Sequence, residues 1–76
     1  MEIKVLGTGC SKCKSLEKLT REVIEAEGID AVVTKVEDIM DIMSYGVMMT
    51  PALVVDGKVV SRGRMPSAKE IKSFIR

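Results

Sequence analysis

The sequence predicts an α/β fold in which three helices flank a four-stranded mixed sheet, in the order β-α-β-α-β-β-α. Two stretches rich in β-formers, 2–6 and 31–36, are separated by a helix-length amphipathic segment, so their strands should be parallel. Asp56-Gly57, between two β-branched runs, is typical of a hairpin and makes the last two strands antiparallel. The capping-box pattern at 67–70 predicts a helix at the end of the chain.

The first half of the chain supplies two strands and two helices. The strand at 2–6 alternates along its length, and apolar residues then recur at helical spacing from 11 to about 27. Gly28 is placed to end this first helix. Asp38 can cap a short second helix, with Gly46 near its end. We expect Met40 and Met43 to fill gaps in the core from the apolar face of this helix, whose apolar residues are Ile39, Met40, Ile42, Met43 and Val47.

Length, composition and charge exclude several classes of protein. The 76 residues leave room for a single domain, expected over 1–76. The net charge of +1 gives no reason to expect a nucleic acid or an anionic membrane as partner. Glu2 and Lys4 interrupt the first apolar run, unlike a signal peptide, and no apolar stretch is long enough to span a bilayer. We therefore expect a cytoplasmic protein, in which disulfides are usually transient and catalytic.

The chain contains two cysteines, Cys10 and Cys13, in a Cys-x-x-Cys motif where the first loop enters the first helix. A structural disulfide between them would close a very short loop and contribute little stability. A structural zinc site needs about four ligands. Because the chain has no histidine and no third cysteine, only a dimer would complete such a site. Two inert buried cysteines, spaced by chance, are the remaining structural interpretation.

The position of the motif favours redox chemistry. Unpaired backbone N–H groups at a helix N-terminus stabilise a thiolate, and Lys12 and Lys14 add a weak cationic field. A helix N-terminus, a nearby cation and the Cys-x-x-Cys spacing each lower the pKa of a thiol. We expect Cys10, at the first helical turn, to be the attacking thiol. Cys13 should face inward with Leu16 and act as the resolving thiol.

The motif is joined by further features of a known family. Thr50-Pro51 opens a strand and is followed by the hairpin, by Gly63 and by the final helix. Over essentially the whole chain, this pattern resembles the thioredoxin and glutaredoxin superfamily, most of all the minimal small redox-active disulfide proteins of archaea and bacteria. The resemblance implies a thioredoxin-like fold and a thiol–disulfide oxidoreductase of the protein-disulfide reductase type, an electron carrier with Cys10 as nucleophile and Cys13 as resolving cysteine.

The resemblance also implies a substrate-binding surface. Pro51 matches the proline that is cis in this superfamily and lies beside the disulfide. Thr50 then offers backbone groups to an extended substrate. Met48 and Met49, which come just before, are expected to line the same adaptable surface. No metal and no cofactor beyond the redox-active disulfide is implied. The expected partners are disulfide-containing proteins and a reductase or low-molecular-weight thiol as electron donor, with the chain acting as a monomer.

Two other classes of protein stay open. The stretch Gly-Thr-Gly-Cys-Ser-Lys-Cys also resembles soft-metal-binding domains that carry Cu(I) between two thiolates. Those domains run β-α-β-β-α-β and end in a strand, whereas this chain is predicted to end in a helix. The third class is a binding module whose Cys-x-x-Cys motif serves docking alone. Disulfide turnover and metal binding distinguish the three.

Overall fold

The computed structural model describes residues 1–9 and 11–75. The elements follow the predicted order, β1 (Glu2–Leu6), α1 (Ser11–Glu27), β2 (Val32–Val36), α2 (Ile39–Ser44), β3 (Ala52–Val55), β4 (Lys58–Arg62) and α3 (Ala68–Phe74). Within these ranges, no helix combines the length and the apolar composition that crossing a membrane requires.

The four strands form one mixed sheet in the order β2-β1-β3-β4. β1 pairs in parallel with β2, from Glu2 opposite Val32 to Leu6 opposite Val36. β3 pairs antiparallel with both β1 and β4. Both predicted strand relationships, the parallel pair joined through a helix and the C-terminal hairpin, are therefore confirmed.

Each face of the sheet is covered by helices. Ile3 and Val5 of β1 face α1 and α3, while Leu6 faces the opposite side, as the two-residue period of a strand requires. The larger core is built from α1, α3 and the sheet, and its buried residues are Ile3, Val5, Leu16, Val23, Ile24, Leu53, Val55, Ile71 and Ile75. The smaller core lies under α2 and contains Leu6, Ile42, Val47, Ala52 and Val54.

Helix α1 ends as the sequence predicts. Gly28 has a φ of 63°, and its amide donates to the Glu25 carbonyl at 3.2 Å. The Ile29 amide donates to the Ile24 carbonyl at 3.1 Å, which completes a Schellman motif. The buried face of α1 carries the predicted spacing, with Cys13, Leu16, Thr20, Val23 and Ile24.

Helix α2 departs from the prediction. Asp38 caps it as expected, accepting a 2.8 Å hydrogen bond from the Met40 amide. However, the helix has six residues and Ile42 is its buried one. Met40 is 72% exposed and Met43 is 54% exposed, so the expectation that both fill the core is wrong. A helix of this length makes fewer than two turns, so it buries few side chains against the sheet, and Ile42 occupies that position.

The turn and the cap of the C-terminal half are as predicted. Asp56 and Gly57 both have positive φ, 49° and 83°, which is the geometry of a tight hairpin turn. The Ser67 hydroxyl accepts a hydrogen bond from the Glu70 amide, and the Glu70 side chain accepts one from the Ser67 amide. This reciprocal capping box starts α3.

Candidate functional site

The loop between β1 and α1 begins by extending the sheet by one residue. The Gly7 amide donates to the Val36 carbonyl at 2.9 Å, extending the parallel pairing of β1 with β2. Gly9 follows with a φ of 85°, a conformation that favours glycine. Cys10, the predicted attacking thiol, lies outside the described residues. Its predicted role stays a prediction.

Cys13 lies on the inner face of α1, as its spacing with Leu16 predicts. It is disulfide-bonded, and 5% of its surface is exposed. A Cβ atom placed on Gly7 would lie 2.2 Å from the Cys13 Sγ and 3.0 Å from the Cys13 Cβ. The sulfur therefore packs directly against the backbone at the end of β1.

The segment before β3 approaches the same point. The Thr50–Pro51 peptide bond is cis, which confirms the prediction made from the family resemblance. Pro51 is buried and Thr50 is exposed. A Cβ on Gly7 would lie 3.9 Å from the Thr50 Cβ, so Gly7 is adjacent to both Cys13 and the proline segment. The predicted contact of Pro51 with the cysteine pair depends on Cys10 and stays a prediction.

An apolar cleft of about 220 Å³ opens beside this junction. It runs between α2 and the segment before Pro51, and its lining is Thr8, Ile39, Ile42, Met43, Val47, Met48 and Thr50. Met48 is 86% exposed and Met49 is 66% exposed, so both side chains are available to a partner. The sequence did not indicate this cleft, because its pattern predicts that Met43 fills the core.

The charges around the loop are of both signs. Lys12 and Lys14 are exposed on the first turns of α1, on either side of the inward-facing Cys13. On the β2 side of the loop, a Cβ on Gly9 would lie 3.9 Å from the Glu37 Oε2. Glu37 also pairs with Lys35, at 3.7 Å. The sequence offered one clue to Glu37: it directly follows a strand parallel to β1, and parallel strands end at the same edge of a sheet.

A polar contact links Tyr45, the C-cap of α2, to the sheet. The Lys4 Nζ donates a 2.9 Å hydrogen bond to the Tyr45 hydroxyl and lies 5.6 Å from the centre of the Tyr45 ring. The same Nζ lies 3.3 Å from a Glu2 carboxylate oxygen. The hydrogen bond to Tyr45, with the smaller effect of Glu2, raises the pKa of Lys4. Within residues 1–9 and 11–75, no three His, Cys, Asp or Glu side chains are grouped as metal ligands.

Known proteins resemble this chain along its whole length. A family model described as a thioredoxin domain matches residues 1–76. The chain is 40% identical over 75 residues to the thioredoxin of Methanothermobacter thermautotrophicus, covering 99% of this chain and 97% of that protein. It is 36% identical over 74 residues to the thioredoxin of Methanocaldococcus jannaschii, covering 97% of this chain and 85% of that protein.

Proposed function

Because this chain belongs to the thioredoxin-like superfamily of thiol–disulfide oxidoreductases, we propose that it reduces protein disulfides through a Cys10–Cys13 dithiol–disulfide couple. Its α/β architecture is the thioredoxin-like fold that the sequence predicts. The observation that carries the proposal is the placement of Cys13. Its sulfur is buried near the start of α1, against Gly7 and next to the Thr50–Pro51 segment.

The burial of Cys13 supports its role as the resolving thiol. An attacking thiol must meet the disulfide of another protein, and a sulfur in a residue that is 5% exposed is poorly accessible to one. A resolving thiol has only to reach a sulfur within its own chain. Cys10 is therefore proposed as the nucleophile, activated by the N-terminus of α1 and, more weakly, by Lys12 and Lys14.

The proposed reaction transfers two electrons in two exchanges. The Cys10 thiolate attacks one sulfur of the substrate disulfide, the substrate S–S bond breaks, and the other substrate sulfur leaves as a thiolate that takes up a proton. The Cys13 thiolate then attacks the Cys10 sulfur of the mixed disulfide. The second substrate sulfur leaves in the same way, and an intramolecular disulfide remains. A reductase, or two molecules of a low-molecular-weight thiol, returns the two electrons.

The substrate is proposed to bind along the segment before β3. Thr50 is exposed directly before the buried Pro51, so its backbone is placed to pair with an extended segment of the substrate. Met48 and Met49 present flexible, polarisable side chains beside it, which suits partners of varied shape. We assign Thr50, Pro51 and Met49 to substrate binding on these grounds.

The protein is further proposed to act in the reducing cytoplasm, as a monomer. It would do so without a metal or other cofactor and without nucleic acid or membrane partners. The Cu(I)-carrier alternative receives no support from the fold, because α2 follows β2 here, whereas the β-α-β-β-α-β order of the soft-metal-binding domains has a strand at that point.

Single-cysteine variants test the assignment of the two thiols. Cys13→Ser should accumulate a mixed disulfide with insulin or another disulfide substrate, detected on non-reducing gels and mapped to Cys10 by mass spectrometry. Cys10→Ser should form far less of it and lose turnover. Trapping by Cys10→Ser alone would mean that the two roles are reversed. Tight Cu(I) binding by a protein that shows no disulfide turnover would establish the metal carrier instead.

A further inference from the structure

Gly7 is required for a different reason from the other glycines. Gly9, Gly28, Gly46, Gly57 and Gly63 all have positive φ, whereas Gly7, the remaining one of the six, does not. Its backbone conformation is therefore open to any residue. The constraint is steric, since a Cβ on Gly7 would lie 2.2 Å from the Cys13 Sγ, a separation at which one of the two atoms must move.

We propose that Gly7 is a positioning residue that sets the stability of the Cys13 disulfide relative to the dithiol. The proposal rests on the proposed redox role of Cys13. A disulfide ties each sulfur to its partner, so the oxidised Cys13 sulfur stays where the structure shows it. A free thiol on a helix has more than one staggered rotamer to choose from and can turn its sulfur away from residue 7. A side chain at residue 7 thus penalises the oxidised form more than the reduced form.

The second contact of the added methyl group, with the Cys13 Cβ, affects the oxidised and the reduced protein equally. The Cys13 Cβ would lie 3.0 Å from the added methyl group whatever the position of the sulfur. Gly7→Ala should therefore destabilise the reduced protein somewhat and the oxidised protein considerably more. The excess in the oxidised form is the part that belongs to the redox couple.

An equilibrium with dithiothreitol measures this excess. One dithiothreitol molecule gives two electrons and two protons to the protein disulfide, which becomes a dithiol while dithiothreitol closes to its cyclic disulfide. For Gly7→Ala we expect the equilibrium constant to shift at least tenfold toward the protein dithiol, which raises the reduction potential by about 30 mV. Urea unfolding should show that Gly7→Ala increases the unfolding constant of the oxidised form more than that of the reduced form. The ratio of the two increases should equal the shift of the equilibrium constant with dithiothreitol.

Gly28→Ala is the matched control. It places a methyl group at a φ of 63° with no atom within 4 Å, so it strains the backbone far from Cys13. Both redox forms of this variant should lose the same stability, and the equilibrium with dithiothreitol should not move. If Gly7→Ala behaves like this control, with a shift below twofold and equal losses, Gly7 is merely structural and the proposal is overturned.

A second background keeps the test decisive if oxidised Gly7→Ala does not fold. Combining Gly7→Ala with Cys13→Ala removes the Sγ and leaves the 3.0 Å contact. In this background the methyl group added at residue 7 should change the unfolding constant at least tenfold less than it does in the oxidised parent, where a variant that does not fold gives the lower limit of the change. An equal loss in the two backgrounds would refute the role of the sulfur. Failure of the reductase proposal has a different signature, because the shift would persist while no protein disulfide is turned over.

Discussion

The amide of Gly63 donates a 3.0 Å hydrogen bond to the carbonyl of Pro51, which ties the end of β4 to the segment that precedes β3. Gly63 has a φ of 72°, and a Cβ placed on it would lie 3.2 Å from the Cβ of Met49. A side chain at residue 63 would therefore strain the backbone and displace Met49, which lies beside the proposed substrate-binding segment.

Gly63→Ala should weaken substrate binding as well as stability. The positive φ costs an alanine about 1 kcal/mol, and the methyl group pushes Met49 outward. We expect KM for a protein disulfide to rise severalfold, measured by insulin reduction, and the free energy of unfolding to fall in urea titrations. Gly57→Ala is the control, since Gly57 has a φ of 83° with no atom within 4 Å of an added Cβ. An equal change of KM in both variants would show that Met49 plays no part.

Local patterns predicted the fold because each of its elements is defined by nearby residues. The hairpin follows from Asp56 and Gly57, whose positive φ values the tight turn requires. The capping box needs only Ser67 and Glu70, three positions apart. The burial of Cys13 follows from helical spacing alone. Such features can be predicted from the sequence because the interacting groups lie within one turn or one element of each other.

The parts of the site that were missed depend on contacts between distant elements. The close approach of Gly7 to the Cys13 sulfur is set by how α1 packs on β1, and no spacing in the sequence encodes it. Met40 and Met43 have apolar side chains at helical spacing, yet the short α2 leaves them exposed. The cis peptide at Pro51 was expected from the family resemblance, because composition alone favours trans.

Ser61 offers a test of core energetics. Its hydroxyl is buried and has no hydrogen-bond partner among the described residues. A buried hydroxyl without a partner costs about 1 kcal/mol or more in desolvation. Ser61→Ala should therefore raise the free energy of unfolding by about 1 kcal/mol, with an unchanged denaturant slope in urea. A loss of stability would show that the hydroxyl is satisfied, for instance by a buried water.

Glu70 makes stability depend on acid pH. Hydrogen bonds from Arg64 and from the Ser67 backbone lower the pKa of Glu70 from 4.5 to about 2. Folding therefore favours the carboxylate, so its contribution is complete above the unfolded-state pKa and is lost as pH falls through the folded-state pKa. The stability difference between the wild type and Glu70→Gln should be constant above pH 4.5, shrink as pH falls from 4.5 toward 2, and vanish below about 2.

The control for this pH dependence is Glu25→Gln, which removes one carboxylate from an exposed position of α1 and so corrects for the general change in net charge. Urea midpoints measured across the pH series compare the three proteins. A wild-type advantage over Glu70→Gln that persists unchanged at pH 2 would mean that the Arg64–Glu70 pair does not contribute through its charge.

Met48 tests whether the cleft beside the proposed site binds protein substrates. Its side chain is 86% exposed and lines that cleft with Thr50, so Met48→Glu should leave the free energy of unfolding within about 0.5 kcal/mol. A charge buried under the substrate opposes binding of an apolar segment, and we expect kcat/KM for insulin to fall about tenfold, equivalent to about 1.4 kcal/mol. Turnover of 2-hydroxyethyl disulfide, which is small and uncharged, should not change. Val32→Glu, at the far end of the sheet, is the control and should change the turnover of neither substrate. If Met48→Glu lowers the turnover of both substrates equally, the substitution acts on the thiols and not on the cleft.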